Sequence, residues 1–107
     1  MFGLEDRHLT FIKWYVKKTY SKANPDAKFY IFGSRAKGKN RPYSDIDIAI
    51  DYPELTLEQK LKLESDFVNS TFPYEVDIID LNTINENFRN IIKDDLVELK
   101  INNQHAN

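Results

Sequence analysis

Cysteine is absent from this 107-residue chain, and histidine and glycine are scarce, with two and three residues. The lack of cysteine excludes disulfides, thiolate catalysis and thiolate-bound zinc, and it is typical of proteins from a reducing compartment. His8 and His105 stand near opposite ends of the chain, so both are predicted to be solvated surface residues rather than metal ligands. Any metal ion must therefore be held by oxygen.

Long apolar runs and an excess of positive charge are also missing. No stretch approaches the roughly 20 apolar residues of a membrane-spanning helix, and residues 1–13 lack the pattern of a signal peptide. The net charge of −2 argues against nucleic acid as the main partner. We expect one cytoplasmic domain over residues 1–101 and a polar tail over 102–107, with no membrane partner.

Hydrophobic periodicity predicts alternating helices and strands. The short turn between the first two strands favours neighbours in the sheet, antiparallel or mixed. The fold class expected is α/β (α+β), a small mixed sheet flanked by helices. The predicted elements are a helix over 5–20, strands over 28–32 and 44–51, a helix from 57 to about 69, a strand over 74–81 and a helix after 83. The segment 96–101 fits either a short strand or a frayed helix end.

Two of these helices carry start signals. Thr56 and Gln59 have the spacing of a capping box, and so do Thr83 and Glu86. The apolar residues predicted to form the buried side of the helix after Thr56 are Leu57, Leu61, Phe67 and Val68.

The strand over 44–51 alternates strictly, with isoleucines on one face and Asp45 and Asp47 on the other. Carboxylates two residues apart in a strand are close enough to share a divalent cation, although the same pattern is common on solvated strand faces. Asp77 lies within the apolar run 76–79, where a charge is costly unless it is paired or bound. Asp77 is therefore the candidate third carboxylate, and the alternative is a strand residue that faces solvent.

Gly33 and Ser34 directly follow the first strand. Glycine allows a sharp turn there, and a small hydroxyl residue leaves amide groups exposed to an anion, above all if Ser34 starts a helical turn. Basic residues next to this turn and carboxylates nearby predict a site for a triphosphate and its metal ions, although each cation alone is typical of a solvated loop. These basic residues are Arg35, Lys37, Lys39 and Arg41.

The segment GSRAKGKNRPYSDIDIAI, residues 33–50, resembles the signature of the nucleotidyltransferase superfamily that includes DNA polymerase β. That signature is a Gly-Ser turn, an Asp-x-Asp strand and a third Asp on a later strand. In length and in VDIIDL, residues 76–81, the chain resembles the minimal nucleotidyltransferases, single catalytic domains often encoded beside a helical HEPN protein. The resemblance covers about residues 29–93 and implies the polymerase β-like fold.

The resemblance also implies two-metal nucleotidyl transfer from ATP or another NTP, with two Mg²⁺ ions or Mn²⁺ instead. It places Asp77 at the catalytic metal, beside the attacking hydroxyl. The nucleotide-binding residues that it implies are Gly33, Ser34, Lys37 and Ser44. The metal-binding and catalytic residues that it implies are Asp45, Asp47 and Asp77.

Three functions remain open at this point. The first is an antitoxin that transfers AMP from ATP to a tyrosine hydroxyl of a partner HEPN toxin. The second is a binding module that neutralises a HEPN partner by contact alone, and the third is an enzyme that modifies a small molecule. Phe11, Trp14 and Tyr15 point to more than one side of the first helix, so they belong either to the core or to an interface in a homo- or hetero-oligomer.

Overall fold

Residues 1–18 and 27–100 of the computed structural model are described here, and they contain three α-helices and four strands. No helix in these two ranges has the length and apolar character needed to cross a membrane. The helices are α1 (Asp6–Val16), α2 (Leu57–Val68) and α3 (Glu86–Ile92). The strands are β1 (Lys28–Phe32), β2 (Ile46–Asp51), β3 (Val76–Asp80) and β4 (Val97–Leu99). The predicted helix residue Tyr20, His105 and the tail over 102–107 lie outside the described residues.

The four strands form one mixed sheet in the order β3-β2-β1-β4. β1 pairs antiparallel with β2 and with β4, whereas β2 and β3 are parallel and are joined through α2, since parallel neighbours need a crossover. The predicted antiparallel pairing of the first two strands is confirmed. The segment 96–101, left open by its sequence, contains the edge strand β4.

Both faces of the sheet are covered by apolar side chains. One face packs against α1 and α2. On the other face Ala49, expected to lie on an acidic surface, is fully buried in a second cluster with Ile92 of α3. That second cluster does not include the starts of β2 and β3, which carry Asp47 and Asp77. The residues of β2 in the first cluster are Ile46, Ile48 and Ile50.

The helix starts differ in how well the sequence predicted them. The capping box of α2 is confirmed, because Thr56 Oγ1 accepts a hydrogen bond from the Gln59 N–H and Gln59 Oε1 accepts one from the Thr56 N–H. The box predicted to begin at Thr83 is wrong. Asn85 caps α3 instead, since its side chain accepts a 2.8 Å hydrogen bond from the Phe88 N–H, while Thr83 belongs to the turn that follows β3.

The buried side of α2 also differs from its prediction. Leu63 and Phe67 face the core, whereas Leu57, Leu61 and Val68 are 68%, 50% and 81% exposed. Both sets have helical spacing, so periodicity alone does not say which of them meets the sheet. The ring of Phe67 decides the orientation because it packs among the aromatic side chains of α1.

The aromatic residues of α1 divide between core and surface. Phe11 is partly buried and stacks on Phe72, with 5.1 Å between ring centroids. Tyr15 is also partly buried and lies 5.1 Å from Phe67. Trp14 is 54% exposed, and among the residues that the structure describes its ring packs edge-on against the ring of Tyr15.

His8 is buried, which overturns its predicted place on the surface. Its imidazole stands edge-on to the rings of Phe72 and Tyr74, with centroid distances of 5.9 and 5.2 Å. A lone histidine in a polar-looking helix start gives no sign of burial, because the two rings that cover it come from a distant part of the chain. These contacts hold the segment before β3 against α1.

Arg35 lies in the interior, although the sequence placed it in a basic rim. It is only 1% exposed, and its Cζ lies 4.8 Å from the centroid of the Tyr74 ring. A buried guanidinium is tolerated when its donors are used, and here it donates to backbone carbonyls from two separate segments. The accepting carbonyls are those of Phe2 (3.0 Å), Gly3 (3.3 Å), Pro42 (3.3 Å) and Ser44 (2.9 and 3.0 Å).

Replacing Arg35 by lysine should lower the free energy of unfolding by roughly 2–4 kcal/mol, because a single ammonium leaves some of these buried carbonyls without a donor. Arg41→Lys, at an exposed position of the same loop, is the matched control and should change it by less than about 0.5 kcal/mol. Urea unfolding followed by the fluorescence of the single tryptophan measures both variants. Equal stabilities would show that the guanidinium does not hold the loop.

Candidate active site

The strand register brings predicted site residues together at one end of the sheet. Phe32, the last residue of β1, pairs with Asp47 of β2, and Asp47 pairs with Asp77 of β3. Paired residues on adjacent strands project from the same face, and the strands are about 4.8 Å apart, so the two aspartates lie side by side. Asp45 directly precedes β2, two residues before Asp47.

The turn after β1 passes directly over Asp47. Gly33 has a φ of +76°, which is the left-handed region that favours glycine. A Cβ atom at this position would collide with the Asp47 carboxylate oxygen Oδ2. Glycine is therefore needed at position 33 both for its backbone angle and for the approach of the carboxylate.

Ser34 begins a short helical turn, as its sequence suggested. The Lys37 N–H donates to the Gly33 carbonyl at 3.2 Å, and the Lys39 N–H donates to the Ser34 carbonyl at 2.9 Å. Among the described residues, no backbone carbonyl accepts from the N–H groups of residues 34–36. Amide groups left in this way at the start of a turn attract anions.

The cationic side chains near this turn take different positions. Arg35 is buried, while Lys37 forms an ion pair of 3.3 Å between its Nζ and Asp95 Oδ2. Ser44 is held within the loop, since its Oγ accepts from the Arg41 N–H at 2.8 Å and its carbonyl accepts from Arg35. The local sequence carries no sign of the Lys37–Asp95 pair, because the two residues meet only when β4 pairs with β1. The basic side chains of this loop that stay exposed with no ion pair among the described residues are Lys39 and Arg41.

Asp47 is electrostatically strained. Its pKa is raised from 3.8 to about 6, first by partial burial and then by the nearby carboxylates of Asp77 and Asp45. In the ranges 1–18 and 27–100 no three histidine or acidic side chains form a ready-made metal site. A set of oxygen donors that repel one another on one face still fits a hard divalent cation, provided that the side chains turn toward a common point.

The chain matches a known protein family over most of its length. The model of the family described as polymerase beta, nucleotidyltransferase, matches residues 15–105. This chain belongs to that family. It is therefore a nucleotidyltransferase. The probable protein adenylyltransferase MntA of Haemophilus influenzae is 40% identical to it over 79 residues, which are 73% of this chain and 69% of that relative.

Two solved structures of toxin–antitoxin systems have a similar fold. One, a toxin-antitoxin with AMP-PNP, matches 87% of this chain and 76% of its own with a TM-score of 0.65 and 23% identity. The other, a tri-AMPylated Shewanella oneidensis HEPN toxin in complex with an MNT antitoxin, matches 91% of this chain and 76% of its own with a TM-score of 0.61 and 20% identity. Together with the family match, these likenesses confirm the predicted polymerase β-like fold.

Gly33→Ala should destabilise the nucleotidyltransferase more than Gly38→Ala does. Both glycines have φ near +70°, so each alanine carries a backbone cost of roughly 1–2 kcal/mol, but a Cβ at position 38 meets nothing within 4 Å. The additional loss of stability at position 33 measures the contact with Asp47, and thermal unfolding can detect it. In an Asp47→Ala background the two substitutions should cost the same. A difference that persists there would assign the effect to another contact.

Asp47→Asn should stabilise the metal-free protein at pH 7. Because the folded-state pKa of about 6 exceeds the ordinary 3.8, the folded chain binds the proton more tightly, and the ionised carboxylate destabilises it increasingly as the pH rises through this window. Asparagine removes that cost. Since the carboxylate is half exposed, the gain should be on the order of 1 kcal/mol, or roughly 4–8 °C in Tm.

Thermal unfolding in a chelating buffer tests this gain. The difference between variant and wild type should disappear at pH 4, and Glu54→Gln, an exposed acid in a turn, should show no such dependence. A constant difference between pH 4 and pH 7 would contradict the electrostatic origin.

Proposed function

We propose that this nucleotidyltransferase transfers AMP from ATP to a tyrosine hydroxyl of a HEPN-domain partner and thereby acts as an antitoxin. The observation that carries the chemistry is the in-register pair Asp47 and Asp77 beside the Gly33 turn. Support for the acceptor class comes from the relatives, one named as a probable protein adenylyltransferase and another found with an AMPylated HEPN toxin.

The turn over residues 33–38 is proposed to bind the β- and γ-phosphates. Its first amide groups point to no backbone acceptor among the described residues, and they adjoin the carboxylate face. Lys37 would exchange Asp95 for a phosphate oxygen, a short step for a half-exposed side chain. Ser44 acts here as a positioning residue, because its hydroxyl and carbonyl hold the loop that enters β2.

Asp45, Asp47 and Asp77 are the residues that would hold two divalent cations, Mg²⁺ or Mn²⁺. When bound, such ions neutralise the triphosphate and lower the pKa of the attacking hydroxyl. Partial burial raises the pKa of Asp47, and the nearby Asp77 and Asp45 raise it further, so a bound cation would stabilise its ionised form. Asp47 and Asp77 are paired in register on one face of the sheet, and Asp45 lies two residues before Asp47.

The transfer step follows from these positions. The acceptor oxygen attacks the α-phosphorus, and the bond from that phosphorus to the oxygen that bridges to the β-phosphate breaks. Pyrophosphate leaves, and the hydroxyl proton passes to the Asp77 carboxylate. Asp77 is exposed on the edge strand β3, where the hydroxyl of a protein can reach it.

Neutralisation by contact alone is the second candidate. The exposed apolar residues of α2, Leu57, Leu61 and Val68, favour it, because such a stripe is typical of surfaces that bind a protein. Neutralisation by AMP transfer requires the carboxylates of the site, whereas neutralisation by contact does not.

AMP transfer should be visible as mass gain on the partner. The wild-type protein, ATP and Mg²⁺ are incubated with the product of any adjacent HEPN-like gene, and intact masses are recorded. Asp47→Asn and Asp77→Asn should each lower the rate by at least about a hundredfold, because each removes a charge that the transition state needs. Asp94→Asn, an exposed acid of the 3₁₀ turn Lys93–Asp95, is the matched control and should behave as wild type.

Inhibition of the partner is measured in the same samples. If Asp47→Asn abolishes transfer but still neutralises the partner, the contact mechanism replaces the catalytic one.

A further inference from the structure

An ion pair connects the turn over residues 33–38 to a distant part of the chain. The Nζ atom of Lys37 lies 3.3 Å from Oδ2 of Asp95, a residue of the 3₁₀ turn that precedes β4. Among the described residues, the other ion pairs join side chains only two or four positions apart in the sequence. The pair between Lys37 and Asp95 therefore forms only when the sheet is assembled.

Strand pairing brings Asp95 to this turn. β4 is antiparallel to β1, and the last pair before the turn joins Ile31 to Val97. The chain that precedes Val97 therefore runs beside the end of β1, where Gly33 begins the turn. As a result, a carboxylate contacts a lysine of the turn that is proposed to bind the β- and γ-phosphates.

Lys37 differs from the other three basic residues of this loop. The Arg35 guanidinium is buried and donates to backbone carbonyls, so it is not free to turn toward a phosphate. Lys39 and Arg41 are exposed and form no ion pair within the part of the chain that the structure describes. Lys37 is the one of the four whose ammonium group is paired with a carboxylate.

A carboxylate that contacts a lysine competes with a phosphate for it, because both bind the ammonium group through negatively charged oxygens. The side chains of Lys37 and Asp95 are 47% and 27% exposed, so water screens the pair and a phosphate can replace the carboxylate. After this exchange Asp95 has lost its cation and repels the phosphates nearby. Both effects lower the affinity of the turn for a nucleotide.

We propose that Asp95 is an internal competitor of the nucleotide phosphates, which lowers the affinity of the site for ATP and promotes the release of pyrophosphate. The inference rests on the proposed function, because it requires the turn over residues 33–38 to bind phosphates. Asp95 is a positioning residue in this role, since it acts on the substrate through Lys37. The site then fills only at a high concentration of ATP, and it empties when Asp95 pairs with Lys37 again.

Asp95→Asn should bind ATP with Mg²⁺ roughly fivefold more tightly than the wild type, because it removes both the competition and the repulsion. Isothermal titration calorimetry at low ionic strength, without an acceptor protein, measures the dissociation constant. Pyrophosphate with Mg²⁺ should show a similar gain, since the effect acts on phosphate groups. Asp94→Asn is the matched control, because it removes the same charge from the neighbouring exposed position, and it should change both constants by less than about twofold.

Thermal unfolding of the nucleotide-free protein separates this role from a structural one. Asp95→Asn loses the ion pair, so its Tm should be slightly below that of the wild type even though it binds ATP more tightly. In a Lys37→Met background the gain in affinity from Asp95→Asn should fall below about twofold, because no lysine remains for which the carboxylate competes.

The inference is overturned if Asp95→Asn binds ATP no more tightly than Asp94→Asn does, or if it loses affinity together with stability. A gain that persists in full without Lys37 also overturns it, because Asp95 would then act through its charge alone. These outcomes leave the proposed function intact. A wild type that binds neither ATP nor pyrophosphate contradicts the proposed phosphate site itself, and the role of Asp95 with it.

Discussion

The buried guanidinium of Arg35 is the interaction on which the rest of the structure depends. One charged group donates to carbonyls at both the N-terminal segment and the loop that enters β2, and it supports the Tyr74 ring before β3. A charge in the interior is stable only while its donors are used, so these segments cannot move apart independently. Because Ser44 accepts two of these bonds and Asp45 follows it, the contact that stabilises the fold also fixes where the acidic strand begins.

Within the site itself, strand register and the Gly33 turn set the positions of the carboxylates. Register sets Asp47 beside Asp77, and a glycine lets the turn close over them. The raised pKa of Asp47 is the cost of this arrangement, since the carboxylate is partly buried and lies beside those of Asp77 and Asp45. Lys37 forms an ion pair with Asp95. Under the proposed function, bound metal ions stabilise the ionised form of Asp47, and a phosphate oxygen replaces Asp95 beside Lys37.

The sequence predicted the strands well because their signals are local. Alternating isoleucines place β2, although Ala49 of its predicted acidic face is buried, and Gly33 marks the end of β1. Helix orientation and side-chain burial were harder to predict, since they depend on residues that are far apart in the sequence. The spacing of Leu57 and Leu61 fits a buried face of the helix as well as an exposed one. The ring contacts of Phe67 turn a different face toward the core and leave both leucines exposed. Arg35 looked like its basic neighbours, because nothing nearby shows the carbonyls that would surround it.

A natural sequence departs from the usual pattern of buried apolar and exposed polar residues most often where the same residues also serve a function. The exposed leucines of α2 are such a case, because polar residues at those positions would satisfy the fold at least as well. Their stripe runs from Leu57 through Leu61 to Val68 and lies away from the side of the helix that carries the buried Leu63 and Phe67. Under the proposed function, the helix that joins β2 to β3 would contact the partner protein with this stripe and the core with Leu63 and Phe67.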